Sequence, residues 1–265
     1  MTKTELKKAL TFAETTARTA GDILKLGFHK KKQIRYKGVI DPVTEYDLKS
    51  EKHIVAAIKK NYPGHGILSE EGDNKKSTNQ YRWVIDPIDG TVNYAHKMPV
   101  YSVSIALMKN DDSIVGVVYD PEKDEMFSAV KNGGAFLNGK KISVSTESKL
   151  GRSLLATGFA YNIKNAKKNN LGTFARMMKQ AQAVRRLGSA ALDLCWLADG
   201  RFEGFWEYYL HPWDIAAAIL IVTEAGGKVT GISKDKYTIF DDNILASNKL
   251  IHQQMRQALT SKMKK

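Results

Sequence analysis

The stretch Trp83-Val84-Ile85-Asp86-Pro87-Ile88-Asp89-Gly90-Thr91-Val92-Asn93-Tyr94 runs an apolar segment into two carboxylates three positions apart, then into glycine and a hydroxyl residue. Pro87 fixes its own φ and holds Asp86 extended, Gly90 permits a tight backbone, and Thr91 can open a helix. A strand-to-helix corner of this kind aims carboxylates, a backbone carbonyl and a hydroxyl at one point, while free N–H groups and the helix dipole favour an anion there. These are hard oxygen donors, suited to Mg²⁺ or Mn²⁺ rather than Zn²⁺. The six histidines include no pair at i, i+4 and have no cysteine near them, so no zinc set is present. Taken alone, Asp-Pro and Asp-Gly are also ordinary turn chemistry. Two further stretches support the chemical reading. Ser69-Glu70-Glu71-Gly72 puts acids at another strand end, and His211-Pro212-Trp213-Asp214 opens an apolar helix with an acid in its first turn. Their bland alternatives are a solvated loop acid for Glu70 and dipole compensation for Asp214. Thr44-Glu45-Tyr46-Asp47 has the form of a capping box, with Asp47 at its third helical position.

Periodicity predicts the elements that must position these acids. Leu6, Leu10, Ala13, Ala17, Ala20, Leu24 and Gly27 recur at spacings of four and three, one apolar stripe on a long first helix. A second helix opens at Thr44 and stops at Pro63-Gly64. Short strands follow around Ile67-Leu68 and from Arg82 to Ile85. Tyr101, Val103, Ile105 and Leu107 alternate with Ser102, Ser104 and Ala106, the pattern of a half-buried strand. Asn110-Asp111-Asp112, Asp120-Pro121, Asn132-Gly133-Gly134 and Asn138-Gly139 then punctuate an antiparallel meander. Beyond about residue 148 helix and strand alternate. Helices are expected near Leu171 to Ala181, Ser189 to Ala198, Pro212 to Ala225 and from Asn248; strands are expected at Ala183 to Arg186, Arg201 to Tyr208 and Ile244 to Ala246. Two packed halves result, an α+β unit over 1–148 that carries the acidic corner and an α/β unit over 149–265 that completes the site.

With 43% hydrophobic and 26% charged residues in 265, the chain has ordinary globular composition, which argues against wholesale disorder. No apolar run reaches the roughly 18 residues that cross a bilayer; the longest, Ile215 to Val222, is far shorter. Met1 to Lys8 carries charge with no apolar core after it, so no secretory signal is expected. The single cysteine, Cys195, fits a reducing compartment, and the expectation is a cytoplasmic protein without membrane partners. The net charge of +13 suits either nucleic acid or small phosphorylated substrates drawn in by the field. The basic residues are scattered, as solvated surface charge is. Local clusters occur only at Lys30, Lys31, Lys32, Arg35 and Lys37 and at Lys164, Lys167 and Lys168. Cys195, Trp196, Trp206 and Trp213 read as core or interface residues, and His96 and His211 as packing or hydrogen-bonding residues.

Asp86-Pro87-Ile88-Asp89-Gly90-Thr91 together with Trp213-Asp214-Ile215-Ala216-Ala217 resembles the inositol monophosphatase family of metal-dependent, lithium-sensitive phosphatases. The resemblance runs over nearly the whole chain and includes Asp41 to Asp47, Ser69 to Gly72, Gly116 to Pro121 and Gly133 to Gly139 in the family's order. Asn132 departs from the glycine many members carry, a change that left-handed backbone tolerates. The implied fold is a layered α/β/α/β/α sandwich of two packed halves, mixing α+β and α/β character.

The resemblance also implies two or three Mg²⁺ ions per site, with Mn²⁺ as a substitute. Glu70, Asp86, the Ile88 carbonyl and Thr91 are similar to the ligands around the metal that activates water. Asp86, Asp89 and Asp214 are similar to those of a second metal at the leaving oxygen, with Asp86 bridging and a third, weaker ion near Glu70. Asp47 is similar to the acid that pairs with the Thr91 hydroxyl, so Glu70, Thr91 and Asp47 form the implied catalytic set. Phosphate is expected on the metals and on the N–H groups of Gly90 and Thr91, with Asp89 also counted as a substrate contact. Gly188, Ser189, Ala190 and Glu207 match the stretches that approach sugar or inositol hydroxyls; by composition alone they are a tight turn, a first helical turn and a surface acid. The implied activity is hydrolysis of inositol monophosphate or a similar polyol phosphate. Related members act on sugar bisphosphates, nucleotide phosphates or histidinol phosphate, and a basic RNA- or transcription-associated binding protein is the alternative of another class. The resemblance further implies a homodimer, and residues 30–40 are expected to form a mobile loop over the metals.

Overall fold

A computed structural model describes residues 1–37, 42–72, 74–160, 163, 166 and 169–261. Helix α1 (Lys3–Phe28) starts on a capping box, in which Thr2 Oγ1 accepts from the Glu5 N–H and Glu5 Oε2 accepts from the Thr2 N–H. Its buried face is lined by small residues, Ala9, Ala13, Ala17, Ala20 and Gly21, while Leu6 and Leu10 of the expected stripe are only partly buried. Strand β1 (Ile34–Tyr36) pairs antiparallel with β2 (Pro42–Thr44), so part of the stretch expected to be a mobile loop is strand. Gly38 to Asp41 lie outside the described residues. Helix α2 (Glu45–Asn61) opens on Thr44 and ends just before Pro63-Gly64, as its punctuation requires.

The first sheet contains β3 (Gly66–Ser69) and β4 (Tyr81–Asp89). After the short helix α3 (Thr91–Ala95) come β5 (Ser102–Lys109), β6 (Asp112–Asp120), β7 (Glu125–Val130), β8 (Gly134–Leu137) and β9 (Lys140–Ile142). The strand order is sequential, β3 through β9, and every neighbouring pair is antiparallel except β3–β4. One expectation needs correction here. Strand β5 is buried on both faces from Ser102 to Met108, so its alternation does not separate core from water. The small Ser and Ala face meets a helix from the C-terminal part of the chain, and Ser104 Oγ donates to the Trp213 carbonyl at 3.3 Å. Alternation therefore separates two layers of different side-chain size.

The rest of the chain gives β10 (Leu154–Thr157), α4 (Leu171–Met178), β11 (Ala183–Arg185), α5 (Ala190–Ala198), β12 (Gly204–Tyr208), α6 (Pro212–Glu224), β13 (Lys228–Thr230), β14 (Asn243–Ser247) and α7 (His252–Thr260). The second sheet runs β11-β10-β12-β14-β13, with β10 parallel to β11 and β12 and the other pairs antiparallel. Strands β1, β2, β10 and β13, of three or four residues each, had no sequence signature long enough to read.

Helices α1 and α2 cover one face of the seven-stranded sheet, α5 and α6 fill the space between the sheets, and α4 and α7 lie outside the five-stranded sheet. This is the expected α/β/α/β/α layering. The middle layer has water on neither side, which is why all nine residues of α5 are buried and α6 is apolar almost all round. Glycine makes the close contact workable: a Cβ at Gly116 of β6 would stand 2.6 Å from the Ala217 carbonyl oxygen of α6. Gly116→Val should therefore destabilise the protein by about 1–3 kcal/mol through overpacking, read as a lower urea midpoint at unchanged m-value.

Candidate active site

The acidic corner forms at the end of β4. The β4–β5 register breaks between Asp86 and Asp89, where Pro87 has no N–H to give the ladder. The Pro87 carbonyl accepts from Ser50 Oγ at 3.0 Å, which ties the corner to α2. Asp86 Oδ1 accepts from the Ile88 N–H at 3.0 Å and folds the chain into a tight turn. Gly90 has φ +99°, and a Cβ there would meet the carbonyl oxygens of Val100 at 3.0 Å and Gly188 at 3.2 Å, so both backbone angle and space demand glycine. Asn93 on α3 donates to the Val100 and Leu187 carbonyls, at 2.8 and 2.7 Å, and pins the corner to the loop that leads into α5.

Asp47 makes both of the contacts expected of it. Its Oδ2 accepts from the N–H and hydroxyl of Thr44 at 2.8 and 2.6 Å, the capping box of α2, and its Oδ1 faces Thr91 Oγ1 at 2.9 Å. Burial pushes its pKa up to about 6, against the hydrogen bonds from Thr44 and Thr91 that favour the anion. Thr91 Oγ1 also lies 2.9 Å from the Ile88 carbonyl. A hydroxyl has one hydrogen. When it goes to Asp47, the Thr91 and Ile88 oxygens are left side by side with lone pairs facing each other, which is a pair of donors for a cation.

These groups border a cavity of about 530 Å³. Its lining includes Glu70, Asp86, Ile88, Asp89, Gly90, Thr91 and Asp214 together with Arg186, Gly188, Ser189, Ala190, Asp193 and Glu207. Asp47 lies behind Thr91, outside the lining. Asp89 is turned to the N-terminus of α5, where its Oδ2 accepts from Ser189 Oγ at 2.5 Å and the Ala191 N–H at 2.8 Å, and its Oδ1 from the Ala190 N–H at 3.3 Å. The polar groups of Ser189 and Ala190 are thereby engaged by Asp89. Asp214 closes the capping box of α6 by accepting from the His211 N–H at 2.7 Å.

The electrostatics of this arrangement are unfavourable without a cation. Burial, then Glu70, Asp89 and Asp214, hold the Asp86 carboxyl well above the usual range. Asp214 is raised by burial and by Asp89, and burial lifts Asp89 to about 6 despite its donors from α5. Lys37 Nζ stands 3.1 Å from Glu70 Oε1 and 2.6 Å from Glu71 Oε1. Burial works against the Lys37 ammonium, yet the two glutamates raise its pKa above the ordinary lysine value. Glu71 is raised by burial to about 7. Among the described residues no three acidic, histidine or cysteine side chains close on a single point as a finished cation cage. The donor chemistry nevertheless fits a hard divalent cation, since carboxylates that repel one another border the same cavity as the Thr91–Ile88 oxygen pair.

Trp206 and Cys195 are wholly buried, and Trp206 Nε1 donates to Asn170 Oδ1 at 2.6 Å. Trp213 is only half-buried; it stacks on His211 with ring centroids 4.8 Å apart, and both line the cavity. His96 does not line it. Sequence reasoning missed Asn93, Arg186 and Asp193, and saw Glu71 and Lys37 only as neighbours in a run. Asp193 alone had a legible signal, an acid inside an otherwise apolar helix.

Residues 5–264 match the model of the inositol monophosphatase family. The chain belongs to that family and is a phosphatase acting on phosphoric monoesters. It is 46% identical over 234 residues to the inositol-1-monophosphatase of Synechocystis sp., covering 88% of this chain and 82% of that one. It is 38% identical over 263 residues to Nus factor SuhB of Salmonella typhimurium, covering 97% and 98%. The crystal structure of the extragenic suppressor protein suhB from Bartonella henselae superposes with a TM-score of 0.91 at 35% identity, over 97% of this chain and all of that one.

Burial, then Asp89, pushes Glu207 from the ordinary glutamate value up to about 8, with Arg186 opposing. A raised carboxyl pKa contributes stability that is complete below the unfolded value and lost as pH rises through the folded one. The wild type should therefore lose stability between about pH 4.5 and 8, and Glu207→Gln should flatten that loss in urea midpoints measured across the range.

Proposed function

We propose that this chain is a Mg²⁺-dependent, lithium-sensitive phosphomonoesterase that hydrolyses inositol monophosphate or a similar small polyol phosphate. The single observation that carries the reading is the set of mutually repelling carboxylates facing one cavity beside the Thr91–Ile88 oxygens. Glu70, Asp86, the Ile88 carbonyl, Asp89, Thr91 and Asp214 would hold the ions, two or three to a site, with Mn²⁺ able to replace Mg²⁺. Bound there, divalent cations lower the pKa of water and neutralise charge on the phosphoryl group and its leaving oxygen.

Phosphate-monoester hydrolysis can demand acceleration up to ~10²¹-fold, whereas a general base gives about 10²–10⁴. Most of the work is therefore positional and electrostatic, and the chain's residues divide it. Asp47 holds the Thr91 hydroxyl in one orientation and takes up the proton that Thr91 passes from the attacking water. Gly90 and Thr91 present backbone N–H groups to phosphate. Glu207, with the turn at Gly188 to Ala190, faces the alcohol portion. The net charge of +13 is compatible with a broader range of anionic substrates, such as a sugar bisphosphate or nucleotide.

We also propose a homodimer, supported by Leu171 and Met178 standing 55% and 49% exposed on α4. No helix among the described residues is long and apolar enough to cross a membrane, and a lone buried cysteine suits a reducing, cytoplasmic setting. The net charge of +13 and the 38% identity to a Nus factor support a second reading, in which the chain binds RNA beside its enzymatic role.

Phosphate release from inositol monophosphate should require Mg²⁺ and fall by about 10³-fold or more in Asp86→Asn and Asp214→Asn, with unaltered circular dichroism. Thr91→Ala and Asp47→Asn should each cost about 10²–10⁴-fold. Undiminished turnover in EDTA-treated protein would refute the mechanism. RNA binding with a steep salt dependence, and no Mg²⁺-stimulated turnover, would favour the second reading alone.

A further inference from the structure

Helix α5 is buried along its whole length and carries one acid, Asp193. Asp193 is only 2% exposed, its Oδ1 accepts no hydrogen bond, and the residue forms part of the cavity wall. A first-turn acid can answer the helix dipole, but here the donors at the N-terminus of α5 are already engaged by Asp89. No hydrogen bond joins Arg186 to Asp193 or Glu207; the guanidinium acts on both acids only through space. A buried acceptor left without a donor is destabilising, and its retention in the wall of a cavity points to a donor that arrives from outside.

The second acid of this wall is Glu207, on β12. Its carboxylate lies directly over Gly158, where a methyl group would collide with both oxygens. The glycine makes room for the acid at the cavity surface. Asp193 and Glu207 act on each other through space, and their carboxyl oxygens suit a hydroxyl-bearing, uncharged portion of a substrate. Hydroxyls both donate and accept, and so can satisfy a carboxylate and a protonated neighbour at once.

We infer that Asp193 is a specificity residue: it accepts a hydrogen bond from one ring hydroxyl of a polyol phosphate while Glu207 takes the neighbouring hydroxyl. The inference deepens the phosphatase reading and rests on it. A site with a buried acceptor aimed at a hydroxyl discriminates strongly against a substrate that lacks it, because the acceptor is then orphaned again.

The test measures kcat/KM with Mg²⁺ for inositol monophosphate and for phenyl phosphate, whose alcohol portion has no further hydroxyl, in the full-length wild type, Asp193→Ala and Asp193→Asn. In Asp193→Ala the ratio of the two values should fall about ten- to hundred-fold, mostly through KM on the polyol substrate. Asp193→Asn keeps one acceptor oxygen and should fall between the two, while melting at or above the wild-type temperature, since no partner within the protein is lost. A structural acid would instead lower the melting temperature and leave the ratio intact. A ratio preserved within about two-fold in folded variants, or equal losses of kcat on both substrates, overturns the inference. If the alanine variant does not fold, the isosteric Asn variant must still lower the ratio several-fold. Wild type that cleaves phenyl phosphate with no preference for the polyol overturns this inference alone; wild type that cleaves neither overturns the phosphatase reading with it.

Discussion

The constraint on which the rest of the structure depends is the burial of carboxylates that face one another. Burial raises the pKa of Asp86, Asp89 and Asp214; Glu70 adds to all three, Asp89 and Asp214 add to Asp86, and Asp89 adds to Asp214. Taking charge out of water is costly, and like charges add to that cost. The fold offsets part of it with directed donors. The N-terminus of α5 supplies Ser189 Oγ and two backbone N–H groups to Asp89, the N-terminus of α6 supplies the His211 N–H to Asp214, and Lys37 bridges Glu70 and Glu71. Helix dipoles act in the same direction. What remains uncompensated is electrostatic demand for cations, maintained at the expense of stability as active sites often are.

That arrangement needs α5 and α6 between the two sheets. From the middle layer their N-termini reach the end of β4, although about a hundred residues or more separate these segments in the chain. The contacts are backbone-close at particular glycines. Gly116 lets α6 lie on β6, Gly90 lets the acidic corner turn beneath the Val100 and Gly188 carbonyls, and Gly158 leaves space for the Glu207 carboxylate. Asn93 and Ser50 are tie points, giving side-chain hydrogen bonds to the Val100, Leu187 and Pro87 carbonyls.

The global and local charges of the molecule are opposite in sign. The chain carries a net +13, while the cavity gathers acids. A basic exterior raises the local concentration of anionic substrates, and the acids of the interior suit the divalent cations of the proposed mechanism. Part of the first basic cluster contributes to this architecture directly. Lys32 lies over the Tyr94 ring, 4.7 Å from its centroid, and Lys37 meets the glutamates at the cavity rim. Lys164, Lys167 and Lys168 lie outside the described residues.

Much of this molecule was legible in one dimension because its signals are local. The capping box at Thr44 and Asp47, the stop at Pro63-Gly64, the meander turns, and the corner from Asp86 to Thr91 all depend on interactions within a few residues, which backbone chemistry dictates wherever the segment lies. Local pattern could not say which layer covers a face. The Ser and Ala side of β5 looked solvent-facing because small polar residues suit water, and became interior only because α6 lies on it. The sequence also could not say that Asp193 is an acceptor without a donor while Asp89, equally buried, has three. That difference arises from where the N-terminus of α5 points, and long-range packing alone determines it.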